Sequence, residues 1–305
     1  MDRGEESLKG VGAFGIVKES FKIFCYRANL LGTITLVLIL PNILTMLAYE
    51  QLHSTFHARI ISTQKAEEWR LFIFQATQFI VVQIVFSLSL LPSIVAVVYT
   101  VGSAYKGNKK PSFTRLIRPL PAVWKHLIIT FLWYFIVRFV TLFASKLAQI
   151  LLELGLIVFV KSQAIRFVVG VAGSLAMECV SMYVDMAWRV AAVMCVIEVK
   201  YYGFEGMKKS LRLMHGKRTA SLVLAISYKV IYDLVDYLKA KNVVVLCVFT
   251  LMWWVVRTVL YFACKSHHRE SVDEYCVLDE YEQVNNSSCR FRGLQRNGND
   301  LAIAV

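Results

Sequence analysis

Apolar residues follow two patterns along this chain. In six blocks they run almost without interruption, at 30–49, 71–99, 127–147, 167–197, 220–238 and 243–264. In three shorter segments they recur at helical spacing between Lys and Arg. Phe14, Val17, Phe21 and Phe24 form the first set; Phe113, Leu116, Leu120 and Val123 the second; Phe204, Met207, Leu211 and Met214 the third. About 20 apolar residues span a hydrocarbon core of roughly 30 Å, so the blocks predict six transmembrane helices. Steps of three, four and three with interleaved cations predict basic amphipathic helices lying on a membrane. Each short segment precedes a block, which predicts three pseudo-repeats at about 14–99, 113–197 and 204–264.

The repeat is clearest between the first and third units. VKESFKI at 17–23 and MKKSLRL at 207–213 share the order apolar, Lys, charged, Ser, apolar, basic, apolar. In the middle unit Pro119 and Pro121 interrupt the pattern, because proline lacks the helix donor and clashes with the preceding turn. The fold class is therefore all-α and polytopic. Residues 1–264 form a single integral membrane domain, and 265–305 a cytosolic, largely disordered tail. Two places strain this scheme. Residues 148–160 are apolar but short and contain Glu153; they read as an outer interfacial piece, a re-entrant piece or a continuation of the third span. The fourth span, at 1.5 Å per residue, extends about 46 Å and must tilt or project. Pro41 and Pro92 should kink the first and second spans.

Composition agrees with the blocks. The chain has 305 residues, 57% of them hydrophobic, with a mean hydropathy of +0.55, against roughly 45–50% in soluble domains. The net charge of +13 could suggest nucleic acid, but its distribution argues otherwise. Segments 1–29, 100–126, 198–219 and 265–305 carry 5, 6, 6 and 5 Lys or Arg, whereas 50–70, 148–166 and 239–242 carry 3, 2 and 2. That asymmetry is the positive-inside bias. It places both termini in the cytosol and makes anionic headgroups, rather than nucleic acid, the direct partner. The polar start, MDRGEESLKG, has no signal-peptide pattern. The endomembranes and the plasma membrane both stay open. None of the seven cysteines forms a CxxC pair. Cys25 and Cys264, beside membrane borders, are either S-acylation sites or packed thiols.

Candidate chemistry lies in charges within the spans. Glu178, Asp185 and Arg189 share one face of the fourth span; Lys229, Asp233 and Asp236 share one face of the fifth. Arg138 and Arg257 lie in the third and sixth. An unpaired charge at mid-bilayer costs about 2.5–3.5 kcal/mol on insertion scales, so these stripes must face each other or a wet cavity. The four acids and four bases cancel. The stripes read as an ion-pair network, with Asp185–Arg189 and Lys229–Asp233 as i,i+4 pairs, or as a polar pathway for a small ligand. Glu50, His53 and His57 could share a helical face, but HExxH is absent and no metal or cofactor is expected. No nucleophile elbow or phosphate loop is present. Tyr275 and Tyr281 begin Y-x-x-bulky tetrapeptides, and Asn285 and Asn286 begin sequons that a cytosolic tail leaves unused.

The segment IEVKYYGFEGMKKSLRLMHGKR, 197–218, resembles the hallmark of a plant family of uncharacterised multi-pass membrane proteins. Some of its members carry names referring to a polyadenylate-binding-protein partner. The matching positions are Glu198, Gly203, Gly206, Met207, Lys208, Lys209, Ser210, Leu213, Gly216, Lys217 and Arg218; FACKSHHRE at 262–270 adds to the likeness. A more distant likeness joins the membrane domain attached to some bacterial glycerophosphodiester phosphodiesterases, whose catalytic domain has no counterpart in this sequence. At Gly206 the family more usually has an alanine-like residue; glycine lowers helix propensity by roughly 1 kcal/mol. The motif also has a physical reading. Glu198 ends the fourth span, Gly203 permits a turn into the membrane plane, and Lys208, Lys209 and Arg212 meet headgroups. Lys217 and Arg218 anchor the fifth span. The expected role is a non-enzymatic membrane organising or adaptor component. The alternative is a small transporter or channel using the charges of spans four and five.

Overall fold

The computed structural model describes residues 10, 12–49, 51, 89–105, 120–159, 162–198, 200–237 and 242–268. Among the described residues all regular structure is helical. The elements are α1 (Ala13–Tyr26), α2 (Ala28–Tyr49) and α3 (Ser89–Tyr105). Then follow α4 (Leu120–Phe159), α5 (Gln163–Ile197), α6 (Gly203–His215), α7 (Arg218–Tyr237) and α8 (Val243–His267).

Four of these are long and apolar enough to cross a membrane: α2, the 123–155 stretch of α4, α5, and α8. Of the six expected spans, these four are found among the described residues. Of the second predicted span only 89–99 is described; it belongs to α3, which continues to Tyr105, and 71–88 lie outside the described residues. The fifth predicted span is a helix, α7, of 20 residues. Arg218, Lys229, Asp233 and Asp236 dilute its apolar character, and it is not among the four. Residues 148–159 are not a separate piece, because α4 runs unbroken through them. At 40 and 35 residues, α4 and α5 reach about 60 Å and about 52 Å. The two pack along each other. At Gly173 a Cβ would stand 2.4 Å from Leu152 Cδ2, so the glycine lets α4 and α5 approach closely.

Apolar residues fill the interior of the bundle and also cover much of its outside. The interior is formed by α3, buried at almost every position from Leu91 to Val101, and by the second half of α8 from Trp253 to Ser266. A helix apolar around its whole circumference belongs in such a place. The outward surfaces are also greasy: Val140 and Leu151 on α4, Phe167 and Leu175 on α5, and Val230 and Leu234 on α7 are all exposed. Contiguous apolar surface of this extent marks a non-aqueous surrounding. Proline shapes α2, where a π-helical turn, Thr35–Ile39, lies just before Pro41. Proline has no N–H to donate backward, and a wider turn is a common accommodation within helices. Pro92 lies three residues from the first described residue of α3. Asn42 on α2, almost fully buried, donates to Ser89 Oγ of α3 at 2.5 Å.

Two short basic helices, α1 and α6, lie against this bundle. The first packs on α8 and the second on α5 and α4. The expected middle counterpart is not a separate helix: Leu120 and Val123 belong to α4, while Phe113 and Leu116 lie outside the described residues. Burial in α1 and α6 agrees at positions 190 apart. Ile16 and Gly206, Ser20 and Ser210, Ile23 and Leu213, and Arg27 and Lys217 are buried pairs; so, in the helices that follow, are Leu31 with Ser221 and Ile34 with Leu224. Phe14 and Phe204, Lys18 and Lys208, Phe21 and Leu211, and Lys22 and Arg212 are exposed pairs. The apolar steps expected to form one face are therefore divided. Phe14 and Phe21 point outward, Phe14 with 83% of its surface free, while Met207 and Met214 turn into the bundle.

Candidate functional site

Asp185 sits on α5 with Arg189 one turn later on the same face. The carboxylate Oδ2 accepts from Arg189 Nε at 2.6 Å, and Oδ1 accepts from the Tyr134 hydroxyl of α4 at 2.7 Å. Both oxygens of the acid are thereby engaged. One turn toward the α5 N-terminus, Ser181 accepts a hydrogen bond from the Arg138 guanidinium of α4. The facing wall is α7, where Lys229 donates to Asp233 Oδ1 at 2.7 Å, one turn away. Arg257 enters from α8 and is only 2% exposed.

These groups surround one cavity of about 630 Å³, within the size range of small-molecule sites. Arg138, Glu178, Asp185, Arg189, Lys229 and Arg257 all line it, drawn from α4, α5, α7 and α8. Asp233 holds Lys229 at the rim, and the Asp236 side chain lies outside the described residues. The expected neutrality does not hold at the cavity. Lys146, unremarked in the sequence, also lines it, giving five cations against two carboxylates. Even with Asp233 counted, an excess of two positive charges remains. The physical reason is that helix spacing fixes which charges share a face of one helix, but not which faces meet.

The aromatic surroundings were equally illegible. The Arg257 guanidinium lies over Trp254, Tyr228 and Trp253 at 4.9, 5.1 and 5.3 Å from the ring centroids. Arg189 lies 5.8 Å from Tyr228 and 5.9 Å from Trp254, so two guanidinium groups share two rings. Tyr134 stacks on Trp188 at 4.1 Å. Cation–π contacts contribute about 0.5–2 kcal/mol each and soften the burial of a cation without neutralising it. Arg257 stands fourteen residues from Val243 and ten from His267, or about 21 Å and about 15 Å along the axis. It is too deep to place its head in water at either end.

The motif residues build a second polar centre where α5 ends and α6 begins. Glu198, 5% exposed, accepts from Lys265 Nζ and the Tyr261 hydroxyl of α8 at 2.6 Å each, and from Lys209 Nζ of α6 at 2.9 Å. Burial alone would raise its pKa; the hydrogen bonds from Lys265, Tyr261 and Lys209 outweigh this and hold it below the ordinary carboxylate range. Lys265, which the sequence put in a disordered tail, is buried within α8. Lys209 turns inward, with its ammonium also 3.8 Å from the Tyr201 ring centre, rather than facing headgroups with Lys208 and Arg212. Consecutive helical residues differ by about 100° in direction, which here carries Lys209 from the exposed arc of Lys208 and Arg212 to the edge of the bundle.

Gly203 makes the turn into α6 at φ +62°. Its N–H donates to Thr130 Oγ1 of α4 at 2.8 Å, and a Cβ would lie 3.1 Å from Trp133 Cδ1. Glu205 in the first turn and Arg212 and His215 in the last complement the α6 dipole. Ser210 donates to the Ala187 carbonyl of α5 at 2.5 Å, which fastens α6 down. Gly216 provides clearance: a Cβ would meet His267 Nδ1 at 2.5 Å. His268 is not merely solvated, since its Nε2 lies 3.1 Å from the Leu213 carbonyl. Lys217 is buried, and desolvation pushes its pKa down; Arg218 is exposed. The two therefore do not act together at the surface. Cys25 is exposed and Cys264 buried, which removes Cys264 as an acylation site. Glu50, His53, His57, Tyr275, Tyr281, Asn285 and Asn286 lie outside the described residues.

The family described as a domain of unknown function, DUF8558, matches residues 1–245 and 237–292. No curated protein and no solved structure matches the chain.

Proposed function

The chain belongs to this family, DUF8558, whose description assigns no activity, and we propose that it is a non-enzymatic carrier, a multi-pass membrane protein that binds a small solute between its helices. The observation supporting this reading is the convergence of seven charged side chains from four helices on one cavity. Burying these groups costs several kcal/mol each unless water, a partner or a ligand satisfies them. A network serving stability alone would close around its pairs. Here Asp185 and Arg189 pair beside open space.

The protein reconstituted in liposomes is expected to move at least one of a panel of small anionic, cationic and neutral radiolabelled solutes faster than protein-free vesicles. Replacing Asp185→Asn and Arg189→Gln together should abolish that flux while leaving the melting temperature within a few degrees of the parent. Equal flux with and without protein across the panel overturns the carrier reading.

A second reading, a component that organises the membrane through lipid headgroups, is favoured by the matching exposed faces of α1 and α6. Phe14, Lys18, Phe21 and Lys22 correspond there to Phe204, Lys208, Leu211 and Arg212. Such a face dips rings toward acyl chains and lifts cations to phosphates. The likeness of 197–218 to the plant multi-pass family supports a shelf of this kind, because that motif builds α6. In this reading α1 with the start of α2, and α6 with the start of α7, are duplicated halves lying on the cytosolic leaflet, a side that the Lys and Arg excess supports.

A further inference from the structure

We infer that the cavity takes an organic anion with an apolar body, its acidic group held between Arg189 and Arg257. This rests on the binding role proposed above and names its ligand class. Three observations converge. The lining carries more positive than negative charge, even with Asp233 at the rim counted. Arg257, 98% buried and part of the lining, has an Nε with no hydrogen-bond partner among the described residues. The nearby carboxylate cannot supply one readily, because Asp185 already accepts from Arg189 on Oδ2 and from Tyr134 on Oδ1.

A buried guanidinium donor left without an acceptor is costly, and the planar guanidinium matches the two oxygens of a carboxylate or the oxygens of a phosphate. Tyr228 and Trp254 lie against both guanidinium groups. They hold the arginines in place and exclude water from the acidic group. A cationic ligand would instead bring a further positive charge to an already cationic wall. The remainder of the lining argues for the body of the ligand: Phe135, Phe139, Leu142, Phe143 and Met182 continue the cavity as an apolar surface. The same head chemistry could arrive as an acyl chain from the bilayer or as an organic acid from water.

The full chain in neutral-lipid nanodiscs is tested for equilibrium binding of radiolabelled dodecanoate, benzoate and dodecyltrimethylammonium. At least one of the two anions is expected to bind saturably at one per chain, and the cation not at all. Dodecanoate alone points to the bilayer as source; benzoate binding points to water. Arg257→Met should weaken the anion at least about tenfold, the loss of one charge-assisted hydrogen bond. Arg138→Gln, at a less buried position of the same lining, should weaken it by a smaller factor and serves where the first variant does not fold. Saturable binding of the cation, no saturable binding of either anion, or anion binding untouched by Arg138→Gln overturns the inference. The flux experiment is read separately: transport of cations or neutral solutes alone leaves the carrier reading standing and removes only the anion.

Discussion

Single residues carry much of the geometry at the turn between α5 and α6. Gly203 holds a left-handed backbone, which costs a residue with a Cβ about 1–3 kcal/mol. Alanine there also presses on Trp133. Gly203→Ala should lower stability by about that amount, seen as a reduced melting temperature in detergent. Glu198 makes a pH-dependent contribution. Its folded pKa lies below its unfolded value of about 4.3, so the native state favours the ionised form. That stability is present above the unfolded pKa and is lost as pH falls through the folded one. Acid titration of thermal unfolding should show the loss below about pH 4.3, and Glu198→Gln should flatten it. At neutral pH the same change should cost about 3–5 kcal/mol, because Lys265 stays buried without its counter-charge. The sequence motif announced Glu198 and Gly203, since an acid and a glycine between an apolar run and an amphipathic helix suggest a turn. It did not announce Tyr261, Lys265 or Thr130. Their partners lie 63, 67 and 73 positions away in the chain, and spacing reports only neighbours within a few helical turns.

At the level of elements, periodicity identified α1 and α6 but put Met207 and Met214 on the outward face, where the bundle buries them. Each presents a mixed arc of rings and cations to the outside and a second arc of small or aliphatic residues to the bundle. A photo-crosslinking side chain at Phe14, Phe21, Phe204 or Leu211 is expected to yield lipid adducts, and one at Ile16 or Ser210 adducts within the protein. The reverse distribution would mean that the shelf is turned over. The cavity was half legible for a related reason. Glu178, Asp185 and Arg189 stand out because charge is rare in apolar blocks. Tyr228, Trp253, Trp254 and Ser181 do not, because such residues are common in membrane helices and become significant only beside Arg138, Arg189 and Arg257.

For the molecule as a whole, the expectation that hydrocarbon surrounds it agrees with four helices of sufficient length and apolar character and with an exposed surface rich in Phe, Leu and Val. The polypeptide should stay in the pellet after alkaline carbonate washing of membranes; release into the supernatant would contradict that environment. Four of the six expected crossings are found among the described residues; block length alone does not separate a uniformly greasy helix such as α8 from α7, one side of which faces the charged cavity. The joining of the α5 and α8 ends through Glu198 has a further consequence. Glu198 emerges from the ribosome well before Tyr261 and Lys265, so this acid must be handed to the membrane before its main counter-ion has been made. A nascent chain halted ahead of the last helix carries this anion with Lys209 but without Lys265 and Tyr261, a mark by which cellular quality control could tell unfinished molecules from finished ones.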